Sequence, residues 1–111
     1  MLLKKFEFEV IKTLSSNLDL LELFKDESKN YNTKFEETGY GYFLTILDSK
    51  LPKQRTVYNE PFLIGKSDDG DEMGFILFVE DHELTIECHG FGEPLPKNLR
   101  DKNFHLRTVK K

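Results

Sequence analysis

Five consecutive apolar residues, Phe75-Ile-Leu-Phe-Val79, are followed after four polar ones by a run that alternates, Leu84-Thr-Ile-Glu-Cys-His89. An uninterrupted apolar run of this length suits a strand covered on both faces, at the centre of a sheet. The alternating run suits a strand with one face in the core, sending Leu84, Ile86 and Cys88 inward and Thr85, Glu87 and His89 outward. The link Glu80-Asp-His-Glu83 is long enough only for a tight hairpin. Asp81 and His82 at its tip both tolerate left-handed backbone better than most residues. An antiparallel pair is thereby set in the middle of the chain, and the rest has to be built around it.

Upstream, Leu3, Phe6, Val10, Ile11 and Leu14 follow helical spacing and place one apolar stripe along a helix, with Lys4 and Glu7 outside it. Ser15-Ser-Asn interrupts, and Ser16 or Asn17 can cap a second helix carrying Leu18, Leu21 and Phe24, broadened by Leu20 and Leu23. From Tyr31 the period falls to two. Tyr31, Thr33 and Phe35 alternate with polar residues, Thr38-Gly-Tyr-Gly41 turns or bulges, and Tyr42 to Leu47 returns as a mostly buried strand. Glu60-Pro-Phe-Leu-Ile-Gly65 reads as a short strand with its proline at the start, where a missing donor is tolerated. Phe104, Leu106 and Arg107 offer a last edge strand. The expected fold is α+β: one domain spanning 1–111, with two N-terminal helices packed on an antiparallel sheet of four or five strands.

A chain of 111 residues with ten phenylalanines can bury a core despite being 32% charged, so disorder is excluded. No 18-residue apolar segment suits a membrane span. The N-terminal Met1-Leu-Leu-Lys-Lys-Phe-Glu-Phe-Glu-Val lacks the pattern of a signal peptide, and the lone Cys88 allows no internal disulfide. These features lead us to expect a cytoplasmic protein.

Candidate chemistry is sparse. His82, Glu87, Cys88 and His89 lie close in sequence, but alternation sends Cys88 to the face opposite Glu87 and His89, and the paired ligands of a zinc site are absent. The expectation is no metal and no cofactor. Asp68-Asp-Gly-Asp-Glu72 lacks the twelve-residue pattern of a calcium loop. Gly39 and Gly41 have no third glycine and no following helix, so a backbone role, a bulge or a close strand approach, is expected rather than a phosphate loop. No catalytic residue emerges, and the protein reads as a non-enzyme. The alternative is a small enzyme or ligand-binding domain using the Glu87/His89 face.

What stands out is charge. Between Ser67 and Glu93 there are nine carboxylates and neither lysine nor arginine, which disfavours direct nucleic-acid binding by this part of the chain. Asp68, Asp69, Asp71, Glu72, Glu80, Asp81, Glu83, Glu87 and Glu93, with His89 beside them, are the candidate partner-binding residues. A basic tail follows, with Lys97, Arg100, Lys102, Arg107, Lys110 and Lys111 available either to the acidic segment or to phosphate.

Thr38-Gly-Tyr-Gly-Tyr-Phe43, and the run from Met73-Gly-Phe-Ile-Leu-Phe-Val79 through Gly92-Glu-Pro-Leu-Pro96, resemble small bacterial immunity proteins of contact-dependent growth inhibition and related polymorphic toxin systems. Here His82 stands where that pattern has a glycine, and Leu95 where an aromatic is commoner. The resemblance implies an antitoxin function: a cytoplasmic toxin inhibitor acting by protein-protein interaction with a cognate toxin domain. Many such toxins are nucleases, whose clefts are basic because they hold phosphates, and an acidic protein could fill one. A monomer is favoured, and self-association through an exposed edge strand is a further option.

Overall fold

The structure, a computed structural model, describes residues 1–15 and 18–109; the cap expected at Ser16 or Asn17 and the tail lysines Lys110 and Lys111 lie outside them. One ten-residue helix, α1 (Lys5–Leu14), and a six-residue helical turn, α2 (Leu18–Leu23), precede the strands β1 (Thr33–Glu37), β2 (Gly41–Leu47), β3 (Thr56–Ser67), β4 (Glu72–Glu80), β5 (Glu83–Gly90) and β6 (Phe104–Val109). A short 3-10 turn, Leu99–Asp101, precedes β6. The strands form one antiparallel sheet in the order β1-β2-β5-β4-β3-β6.

This corrects the expectation of two helices on a sheet of four or five strands. Among the described residues the sheet has six strands, and only α1 is a full helix. The second helical stretch stops at Leu23, where the Asp26 carboxylate accepts hydrogen bonds from the Ser28 N–H (2.9 Å) and hydroxyl (2.6 Å) and closes a turn in place of further helix. The sheet gains its sixth strand because β6 pairs with the second half of β3 from Phe62↔Val109 to Ser67↔Phe104. β3 is also longer than expected: Pro61 lies inside it, at an irregularity between Tyr58 and Leu63 where the pairing with β4 is broken and the missing N–H costs no ladder bond.

The central pair forms where its pattern places it, but β4 is fully covered on one face only: Ile76 and Phe78 on the other are half-buried. β4 and β5 are the inner strands, with Glu80 opposite Glu83 and a two-residue turn in which Asp81 and His82 take φ of 50° and 64°. Tyr42, Leu44, Ile46, Leu84, Ile86, Leu77 and Phe75 are buried on one side of the sheet, against Phe6, Val10, Ile11 and Leu14 of α1. Burial drives the Cys88 thiol well above its usual range, with the negative charges of Glu7 and Glu87 acting in the same direction; the residue acts as a small apolar side chain. Gly41 permits close approach of strands: at φ 142°, a Cβ there would lie 1.8 Å from the Cys88 carbonyl oxygen.

Glu7 departs from its expected place outside the apolar stripe. It is completely buried, four residues after Leu3 and four before Ile11 and so on the stripe itself. Arg100 donates to it from Nε (2.9 Å) and Nη2 (2.6 Å), the Tyr42 hydroxyl donates at 2.7 Å, and the Lys4 N–H at 2.8 Å. The carboxylate is thus satisfied from α1, β2 and the C-terminal segment together, which is the condition for burying a charge at tolerable cost. Burial disfavours the Arg100 cation, but its bonds to Glu7 outweigh this and raise its pKa. Burial, together with the nearby Glu7 charge, raises that of Tyr42.

Candidate partner-binding surface

Eight of the nine carboxylates between Ser67 and Glu93 fall at opposite ends of the sheet. Asp68, Asp69 and Asp71 belong to the β3–β4 turn and Glu72 begins β4, whereas Glu80 ends β4, Asp81 is the tip of the next hairpin and Glu83 begins β5. With ~3.3 Å per residue, the length of β4 separates the two groups by roughly 25 Å. Glu87 stands mid-strand on β5, with His89 two residues on along the same side, and Glu93 follows β5 at the turn end. They form no single acidic face.

The two groups also differ in what holds them. At the β3–β4 turn, Lys102 reaches Asp69 at 2.6 Å and Asp71 at 3.2 Å, and its own side chain is only 17% exposed. These bonds raise the pKa of Lys102, Asp69 contributing most. Ser67 and Asp71 close the turn with reciprocal bonds, Asp71 N–H to Ser67 Oγ at 3.0 Å and Ser67 N–H to Asp71 O at 2.9 Å. His105 Nε2 lies 3.5 Å from Asp68. Lys102 of the basic tail therefore folds back on this part of the acidic segment and pairs with two of its carboxylates.

At the hairpin tip the cations are looser. Arg55 lies 3.8 Å from Glu80 and Lys34 3.3 Å from Glu83, and both basic side chains are nearly two-thirds exposed or more. Pairs of this kind contribute little and exchange readily with solvent or another partner. Asp81 makes no ion pair among the described residues. The backbone beneath these side chains is nevertheless fixed: Asp81 N–H donates to Lys53 O (2.9 Å), His82 N–H to Pro52 O (3.1 Å), and His82 Nδ1 to Leu51 O (2.7 Å). The tip is an acidic knob on a braced turn.

The His89 ring rests above Gly74, with Phe91 edge-on at 5.8 Å, and His89 Nδ1 is buried with no hydrogen-bond partner among the described residues. A cleft of about 570 Å³ lies between the start of α1 and residues 100–106, and another of about 360 Å³ between α1 and α2; neither is lined by Glu87 or His89. No three His, Cys, Asp or Glu side chains are grouped to hold a metal among the described residues. No helix there is long and apolar enough to cross a membrane.

Sequence reasoning passed over Glu36, which register places in one row with Phe43 and Glu87 on the side of the sheet away from α1. Period-two alternation through Lys34 and Glu36 was the available signal. It also passed over the bracing loop Leu51-Pro-Lys53, which no local pattern reveals. Comparison of the chain with protein-family models, with curated proteins and with solved structures finds no match.

Proposed function

We propose that this is a non-catalytic binding protein of the immunity type, which neutralises a cognate basic toxin domain by docking the acidic tip of the β4–β5 hairpin onto it. The observation that carries this reading is the contrast between the two acidic groups: Asp69 and Asp71 of the β3–β4 turn are tied to the largely buried Lys102, while Glu80, Asp81 and Glu83 project from a braced turn with only exposed, exchangeable cations nearby. A fixed backbone lowers the entropy cost of association. Like charges at Glu80 and Glu83, directly opposite each other, cost stability in the free protein, and a cationic partner removes that cost. A nuclease is the toxin class whose cleft best suits such a knob, because phosphate binding makes it basic, and complementary charge speeds encounter.

The test is co-purification. The C-terminal domain of a large secreted protein encoded next to this gene should be retained by the tagged wild-type chain and released as salt is raised. Failure of the folded protein to retain it at low salt would remove the proposal.

A further inference from the structure

β1 and β6 are the outer strands of the sheet, and the backbone bonds that flank the β1–β2 ladder show which groups of β1 are unused. Leu47 N–H donates to Asn32 O (2.9 Å) and Thr38 N–H to Gly41 O (3.1 Å). Alternation through the register from Thr33↔Ile46 to Glu37↔Tyr42 then turns the N–H and C=O of Lys34 and Glu36 toward β2, and those of Thr33, Phe35 and Glu37 outward. Among the described residues nothing bonds to that outward row.

The open stretch is bounded at both ends. Before it, Met1 and Leu2 already lie along the edge: Tyr31 N–H donates to Met1 O (3.0 Å), the terminal amine to Tyr31 O (2.8 Å), and Leu2 bridges to Asn30. After it, the chain turns through Gly39, at φ 83°, into β2. The five residues Thr33–Glu37 remain. Phe35 at their centre is 41% exposed, although its ring lies 5.4 Å from that of the buried Tyr42. Such an edge is guarded against pairing only by its charges, Lys34, Glu36 and Glu37.

Those charges do not guard it against itself. We infer that two copies of this chain pair through β1, antiparallel, about a two-fold axis at Phe35 normal to the sheet. This register uses the whole open stretch. Phe35 faces Phe35 of the other copy and Thr33 faces Glu37, each in the position that exchanges both N–H···O bonds. Lys34 of each copy stands directly opposite Glu36 of the other, on the same side of the sheet and at the closer type of cross-strand position. Moving the axis by one residue, to Lys34 or Glu36, would set like charges opposite each other. The contact is thus self-complementary in one register, as an isologous interface must be. β6 offers no such match, because a two-fold at Leu106 sets His105 against Arg107 and one at Arg107 sets that residue against itself. Lys34 gives up only an exposed pair with Glu83 at 3.3 Å, which contributes little. β2 lies between β1 and the β4–β5 hairpin, so the tip stays open and the inference stands apart from the toxin reading.

Sedimentation equilibrium on the full chain tests this. A contact of this length is small and its pairing weak, so at about 500 µM protein and about 50 mM salt the wild type should approach twice the 13.0 kDa chain mass and fall back to it on dilution. Lys34→Glu and Glu36→Lys should each weaken the dimer at least ~10-fold, since both symmetric pairs become like-charged, with an unchanged circular dichroism spectrum. Mixing the two variants should restore dimers, because each supplies the charges that the other lacks, and so should both substitutions in one chain. A wild type that stays monomeric overturns the inference. A dimer indifferent to both single substitutions overturns it too, as do variants that stay monomeric on mixing, because the contact then does not run from Lys34 to Glu36.

Discussion

At the scale of single residues, Glu7 is the carboxylate on which the rest of the packing depends. Its four hydrogen bonds come from three separate parts of the chain, so removing Arg100 leaves a buried carboxylate without its counter-charge. Arg100→Ala should cost about 3–5 kcal/mol in denaturant unfolding. The double substitution Glu7→Leu with Arg100→Leu, which removes both charges, should cost less; a larger loss in the double variant would mean that the pair contributes net stability. Sequence made half of this legible. Four-residue spacing from Leu3 and to Ile11 puts Glu7 on the apolar side of α1, but Arg100 lies 93 positions away, and no periodicity links them. Cys88, by contrast, was readable from alternation alone: its inward position is what raises its thiol pKa.

Among the elements, the strands that follow a local period were legible and those fixed by distant pairing were not. The β4–β5 hairpin and the β1–β2 pair follow from alternation and turn chemistry. The shortness of α2 and the length of β3 depend on neighbours: the Asp26–Ser28 turn for the first, and pairing with both β4 and β6 for the second. The two glycines before β2 show how an element boundary is fixed. Gly39, at φ 83°, has open space where a Cβ would stand, whereas at Gly41 it would meet the Cys88 carbonyl at 1.8 Å. Gly39→Ala should therefore cost about 1–2 kcal/mol, the ordinary penalty of left-handed backbone. Gly41→Ala should cost markedly more, since β2 must move away from β5. Thermal unfolding of the two variants side by side checks this, and equal losses would contradict the reading of Gly41 as a point of close approach.

For the whole molecule, what matters is where charge is spent. Nine carboxylates in 27 consecutive residues look like one surface in a linear reading, but β4 runs through the middle of them and carries the two halves to opposite ends of the sheet. Near Lys102, Asp69 and Asp71 are paired within the fold, whereas at the hairpin tip Glu80 and Glu83 have only exposed cations beside them. The acidic segment was thus legible in composition, while its division was not, because strand direction in space is a property of the sheet rather than of the segment.

The proposal that the tip is the docking element is tested most directly by titration calorimetry against the toxin domain that the proposal names, with charge reversals at the two ends. Replacing Glu80, Asp81 and Glu83 with lysine should weaken binding by about 100-fold or more, in keeping with the loss of several charge-complementary contacts, while Glu72→Lys with Glu93→Lys, at the far end, should leave it within about threefold. Unchanged affinity in the tip variant, or an equal loss in the far-end variant, would contradict the account.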